Sequence, residues 1–184
     1  MGLVDKLKQE FDLQVEWLGF EIHPDTPREG MLLTNLFPHA DVDGMTQNLR
    51  TMGAPFGLSF EKIVTISNSR LSLEALEFAK EHDRHDQLLA ALFEAYFSLR
   101  RNIGDLDVLT LAGKKAGLDT VAMREALLLG TYGPAIESAR QEAARLGVTA
   151  APTFIVNDRD RIVGAQPIDV YRNLFRSLGK APGR

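Results

Sequence analysis

Cysteine is absent from all 184 residues, and no other gap removes as much chemistry. Without a thiol the chain as given has no disulfide, no thiolate metal ligand and no cysteine nucleophile. Long apolar runs are missing as well. Nothing approaches the roughly 20 residues a membrane-spanning helix needs, and the opening MGLVDKLKQEFD is charged and amphipathic, with no apolar signal core. Positive charge is in short supply: the net charge is −4, and Lys and Arg are scattered. That balance argues against a nucleic-acid or anionic-membrane surface. A phosphate-cradling glycine loop is not found either, since AGKKAG has neither the Walker spacing nor a preceding strand. What remains is 45% hydrophobic and 25% charged, enough for one globular unit, or one core with an inserted subdomain. The expectation is a cytoplasmic protein with no nucleic-acid, membrane or metal partner.

Periodicity divides the chain into three stretches. Val4, Leu7 and Phe11 fall at helical spacing, and Leu13 to Ile22 then alternates, with Val15, Trp17 and Phe20 among polar neighbours, which predicts a strand. After the exposed loop HPDTPREG the strand pattern disappears for more than a hundred residues. Asp43 is placed to cap a helix through Met45, Leu49 and Met52, and Ser69 or Ser72 one through Leu73, Leu76 and Phe78. Arg84 to Leu99 reads as a single amphipathic helix. Asp105 or Asp107, Asp119 and Pro134 start three more, the last ending at Leu146-Gly147. Strands return in TFIVN and RIVGA, joined as a hairpin by NDRD, and Asp169 to Leu178 closes the chain as a helix with Val170, Leu174 and Phe175 inward. The order α, β, helical block, β, β, α means an α/β layer interrupted by an all-helical insertion.

Few residues invite chemistry on their own. His82 and His85, at i and i+3, could share a helical face, yet DRHD sits at a helix junction without further ligands, so no metal site is assigned. Carboxylates in EALEFAKEHD and IGDLDVL are explained by caps and exposed faces. Met45, Met52 and Phe56 are read as helix core, with a pliable peptide groove as the alternative. Pro152, at the mouth of an otherwise β-branched run, removes a donor at the strand's start.

The segment GVTAAPTFIVNDRDRIVGAQP resembles the cis-proline region of the DsbA-like thioredoxin superfamily. WLGFEIHPDTPREG, NSRLSLEALEFAKEHDRHDQLLAALFEAYFSLRRNIGDLDVL and AGLDTVAMREALLLGTYGPAI are similar, in order and spacing, to its FrnE-like branch. The resemblance implies a thioredoxin-like α/β core in residues 1–40 and 147–184, and an all-helical lid inserted over residues 41–146. It implies a cis bond between Ala151 and Pro152, and a binding surface at Ala151, Pro152 and Thr153 that pairs with an extended substrate peptide. The same resemblance turns Asn68 and Arg70, at the start of a lid helix, towards the cleft, where Arg70 could hold a carboxylate.

The chain departs from that family where it matters most. The family's core opens with a strand leading to a helix that carries Cys-x-x-Cys, and this sequence has neither, so the first core strand and its redox segment are expected to be missing. A slot would then open in the sheet, to be filled by a second copy or by another strand donor. Three functions stay open. One is a disulfide oxidoreductase whose cysteines lie outside the given sequence, acting on extended or thiol-containing protein substrates while this chain only holds them. The second is a cysteine-free peptide-binding module or remnant. The third is similar to the 2-hydroxychromene-2-carboxylate isomerases, whose cofactor is glutathione; otherwise no cofactor is implied.

Overall fold

The computed structural model describes residues 2–179. Along the chain run α1 (Gly2–Glu10), β1 (Met31–Leu32), α2 (Leu33–Leu36), α3 (Val42–Gly53), β2 (Thr65–Ile66), α4 (Arg70–Glu81) and α5 (His85–Phe93). There follow α6 (Leu106–Lys115), α7 (Thr120–Leu129), α8 (Gly133–Arg145), β3 (Thr153–Val156), β4 (Asp160–Val163) and α9 (Ile168–Ser177). Contacts divide these into two units, one of Gly19–Arg140 and one holding the chain up to Leu18 together with the chain from Gln141 onward. No helix among the described residues is long and apolar enough to cross a membrane.

The Gly19–Arg140 unit is helical, and its helices start where short acceptor side chains meet orphan amides. Asp105 accepts from the amides of Asp107 and Val108, and Asp119 from those of Val121 and Ala122; each such cap is worth about 1 kcal/mol. Asp41, not Asp43, caps α3, accepting from Gly44 N at 2.9 Å. Leu88, Leu109 and Met123 are fully buried and join α5, α6 and α7 in one core. Burial of each such side chain contributes about 1.5–3 kcal/mol. Gly113 lets α6 and α7 close up, since a Cβ there would stand 2.7 Å from Met123 Cε.

Three expectations about this unit need correction. Arg84 to Leu99 is not one α-helix: α5 ends at Phe93 and a π-helical turn, Glu94–Ser98, continues it. There the orphan carbonyl of Phe97 accepts from Glu61 N at 2.8 Å, and Tyr96 donates to Thr65 O at 3.2 Å. Met45 and Met52 are not core, being 50% and 42% exposed. α3 packs instead through buried Thr46 and Gly53, because the Phe60 ring lies where a Cβ on Gly53 would be. Nor is the block free of strand: β1 and β2 pair antiparallel, Met31 opposite Ile66 and Leu32 opposite Thr65. Two residues each are too few to show a period.

In the other unit β3 and β4 form an antiparallel hairpin, Thr153 opposite Val163 and Val156 opposite Asp160. Asn157 and Asp158 both take positive φ at its tip, the turn for which short polar side chains are suited. α1 and α9 supply the rest of the core: Leu7, Phe11, Ile162, Tyr171 and Phe175 are buried together. Phe11 meets Phe175 edge-on at 5.3 Å, and Phe154 meets Tyr171 at 5.0 Å. Outside that core Arg172 grips both Glu10 oxygens at 2.6 and 2.7 Å. α9 turns Phe175 and Leu174 inward as expected and adds Tyr171, while Val170, also expected inward, is 41% exposed.

Leu13 to Ile22 forms no strand. Alternation says which side of a strand would be apolar, but a ladder needs a neighbouring backbone. Among the described residues no strand pairs with this segment.

Candidate functional site

The segment that leads into β3 is held at almost every residue but one. α8 ends in a left-handed Gly147, φ +63°, with Val148 N returning to Ala143 O at 2.8 Å. Arg161, reaching from β4, donates through Nη1 to Gly147 O at 3.1 Å and through Nη2 to Leu146 O. Thr153 Oγ1 donates to Ala150 O at 2.6 Å, and Gly164 N to Pro152 O at 2.8 Å. Behind Gly164, the Tyr171 hydroxyl donates to its carbonyl at 3.3 Å, and burial pushes the Tyr171 phenol up, keeping it protonated as a donor.

Between these anchors Ala151 and Pro152 are exposed, and the peptide bond joining them is cis. Neither the N–H nor the C=O of Ala151 has a hydrogen-bond partner among the described residues. Among the described residues β3 pairs only with β4, so its other edge is also without a ladder there. The loop therefore presents main-chain donors and acceptors on a braced support. It presents no nucleophile: the Thr153 hydroxyl is committed to Ala150 O, and the sequence has no thiol.

Ala151, Pro152 and Thr153 thus stand together, whereas Asn68 and Arg70 belong to the other unit. There Ser69 is the N-cap residue of α4 but makes no side-chain cap bond; Asn68 before it takes the orphan amide, its Oδ1 accepting from Arg70 N at 2.9 Å, while its Nδ2 donates to Thr26 O at 2.5 Å. Arg70 donates to Glu74 Oε1 at 3.0 Å, to Glu21 Oε2 at 2.8 Å and to Gly133 O at 3.2 Å. Burial draws the Arg70 guanidinium down, but the hydrogen bonds to Glu21 and Glu74 outweigh it and leave it raised. The two carboxylates are the more buried partners, with side chains 7% and 5% exposed. Glu74 Oε2 is buried without a hydrogen-bond partner among the described residues.

Sequence reasoning missed Glu74, Glu21 and Arg161. The Arg70–Glu74 spacing of i, i+4 was a usable sign of the first. Glu21 and Arg161 act across 49 and 14 residues, and nothing local marks them. The histidines have other partners: His82 stacks on Phe78 with ring centroids 4.2 Å apart, and His85 Nδ1 lies 3.0 Å from Asp86 Oδ1.

Comparison with known proteins places this geometry in context. The family model described as DSBA-like thioredoxin domain matches residues 3–176. The uncharacterized protein YwbO of Bacillus subtilis (strain 168) is 31% identical over 174 residues, which cover 87% of this chain and 80% of YwbO. The crystal structure of a probable DsbA oxidoreductase from Streptomyces coelicolor matches with a TM-score of 0.79 at 26% identity, over 91% of this chain and 76% of that one.

Proposed function

Because this chain belongs to the DsbA-like thioredoxin family and has its fold, an α/β core with a helical insertion, we propose that its own residues hold an extended, thiol-containing peptide. The holding surface is Ala151, Pro152 and Thr153. One observation carries this reading: among the described residues, exposed Ala151 has no partner for either main-chain group, and the strand it leads into has no ladder on its outer edge. An extended chain laid along that edge gains main-chain hydrogen bonds, each worth about 0.5–1.5 kcal/mol net. Asn68 and Arg70 are assigned no substrate contact, because their polar atoms are taken up within their own unit.

Disulfide exchange requires a thiolate to attack and a second sulfur to leave. The given residues supply neither, so reduction of insulin by this polypeptide alone is expected at the rate of the buffer. Within the family, the order and spacing of the WLGFEIHPDTPREG and IGDLDVL segments support a place in the FrnE-like branch.

The test is amide hydrogen exchange with and without an extended cysteine-containing peptide. Protection of Ala151 and of the β3 amides is expected, and Ala151→Pro, which deletes the donor, should weaken peptide binding about tenfold, the loss of one well-formed hydrogen bond. Binding that leaves residues 150–156 unprotected would overturn the proposal.

A further inference from the structure

α7 carries two apolar faces where its own fold needs one. Met123 and Leu127 point inward, 0% and 3% exposed. On the other side Val121, Leu128 and Leu129 are 77%, 66% and 74% exposed. They line a shallow groove together with Thr110, Thr120, Arg124 and Glu125. Val121, Arg124, Glu125 and Leu128 stand at i, i+3, i+4 and i+7, so they form one continuous stripe along the helix.

Read from one end that stripe is apolar, basic, acidic, apolar, and from the other apolar, acidic, basic, apolar, so it is its own charge complement. The midpoint of Thr120–Leu129 falls between Arg124 and Glu125. A two-fold axis through that midpoint, perpendicular to the helix, sets α7 antiparallel to its copy. Val121 then meets Leu128 of the second copy, and Arg124 meets Glu125 of the second copy, each contact occurring twice. From this self-complementarity we infer that the outer face of α7 is the contact of a symmetric dimer of this chain, with the Val121–Leu128 contacts flanking a central pair of Arg124–Glu125 ion pairs.

Charge decides between a second copy and an unrelated partner. An acidic partner helix would satisfy Arg124 and repel Glu125, and a basic one would do the reverse, whereas a copy satisfies both. Arg124 already touches Asp107 at 2.8 Å, but that pair is open to solvent, with side chains 43% and 84% exposed, and holds the guanidinium weakly. A ten-residue helix laid on its copy covers less than the roughly 1,600 Å² of a standard interface. The dimer is therefore a weak one, in equilibrium with monomer.

Sedimentation velocity over a concentration series tests this. The unaltered chain should shift from monomer to dimer as concentration rises. Leu128→Asp, at an exposed position where circular dichroism should report an unchanged fold, should remain monomeric throughout. Arg124→Glu and Glu125→Arg should each raise the dissociation constant about tenfold or more, because like charges then face each other twice. Mixing these two variants should restore association, since every contact becomes one acid against one base. The mixture separates the interface from any local effect of losing the Asp107 pair, which mixing does not repair. A chain that stays monomeric at every concentration, a dimer that survives Leu128→Asp, or variants that stay apart when mixed would each overturn the assignment.

Discussion

The Gly19–Arg140 unit and the unit that contains both chain ends reach stability by opposite routes. In the first, most backbone groups are satisfied inside helices, and the caps at Asp41, Asp105 and Asp119 act within three residues of themselves. In the second, the core joins the two chain ends, Phe11 meeting Phe175, and outside it Glu10 meets Arg172 across 162 residues. Its sheet is a single hairpin with open edges among the described residues. Local closure costs little chain entropy, while joining the two ends costs more before any contact is gained. The comparison teaches that the proposed binding loop belongs to the unit with fewer local supports. Its rigidity is brought from a distance, by Arg161 and by Tyr171 behind Gly164.

The largest test of that contrast is to hollow out each core in turn. Tyr171→Ala removes a fully buried ring and should destabilise by about 3–5 kcal/mol, and Leu109→Ala by about 2–5 kcal/mol, both read from urea unfolding. If the contrast holds, Tyr171→Ala also releases the Val148 and Gly164 amides, bonded to Ala143 O and Pro152 O, to rapid exchange, while Leu109→Ala leaves them slow.

A smaller effect is expected at Arg70. Arg70→Met leaves Glu21 and Glu74 buried without their shared cation, costing about 3 kcal/mol at neutral pH; this sits at the low end for a broken buried pair because Arg70 itself is a third exposed. Urea unfolding reads the loss; a cost below about 1 kcal/mol would mean that the cluster behaves as an exposed ion pair.

The smallest effect lies in alkali. Burial first, and then the hydrogen bond to Glu81, push the Tyr132 phenol up to about 12. Its neutral form is therefore favoured by the fold. The stability it adds is complete below the unfolded value of about 10 and is lost as pH rises through about 12. Tyr132→Phe should flatten the stability curve between those values and remove the last tyrosinate step near 295 nm. An unchanged alkaline limb would show that Tyr132 is not the group responsible.

Much of this could be read before any coordinates. Asp105 and Asp119 announced their helices because capping is a contact within three residues, and NDRD announced the hairpin because its turn needs residues that tolerate positive φ. Leu13 to Ile22 misled because alternation is a statement about faces, and a strand also needs a partner. Met45 and Val170 misled in a shared way: spacing told that they lie on an apolar stripe, but not whether anything lies over it. Within the candidate site, Pro152 and its neighbours stood out in the sequence, while Arg161, which braces them, did not.

The amino-acid order by itself decided where helices begin, where the hairpin turns, and that no thiol chemistry can arise from these residues. Those outcomes depend on neighbours a few positions apart, or on the mere absence of one residue type. Tertiary structure alone decided that Arg70 serves Glu21 and Glu74, and that among the described residues nothing pairs with the main chain of Ala151 or covers the outer side of α7. Each of those depends on which distant surfaces come together in space, and no local pattern carries that information.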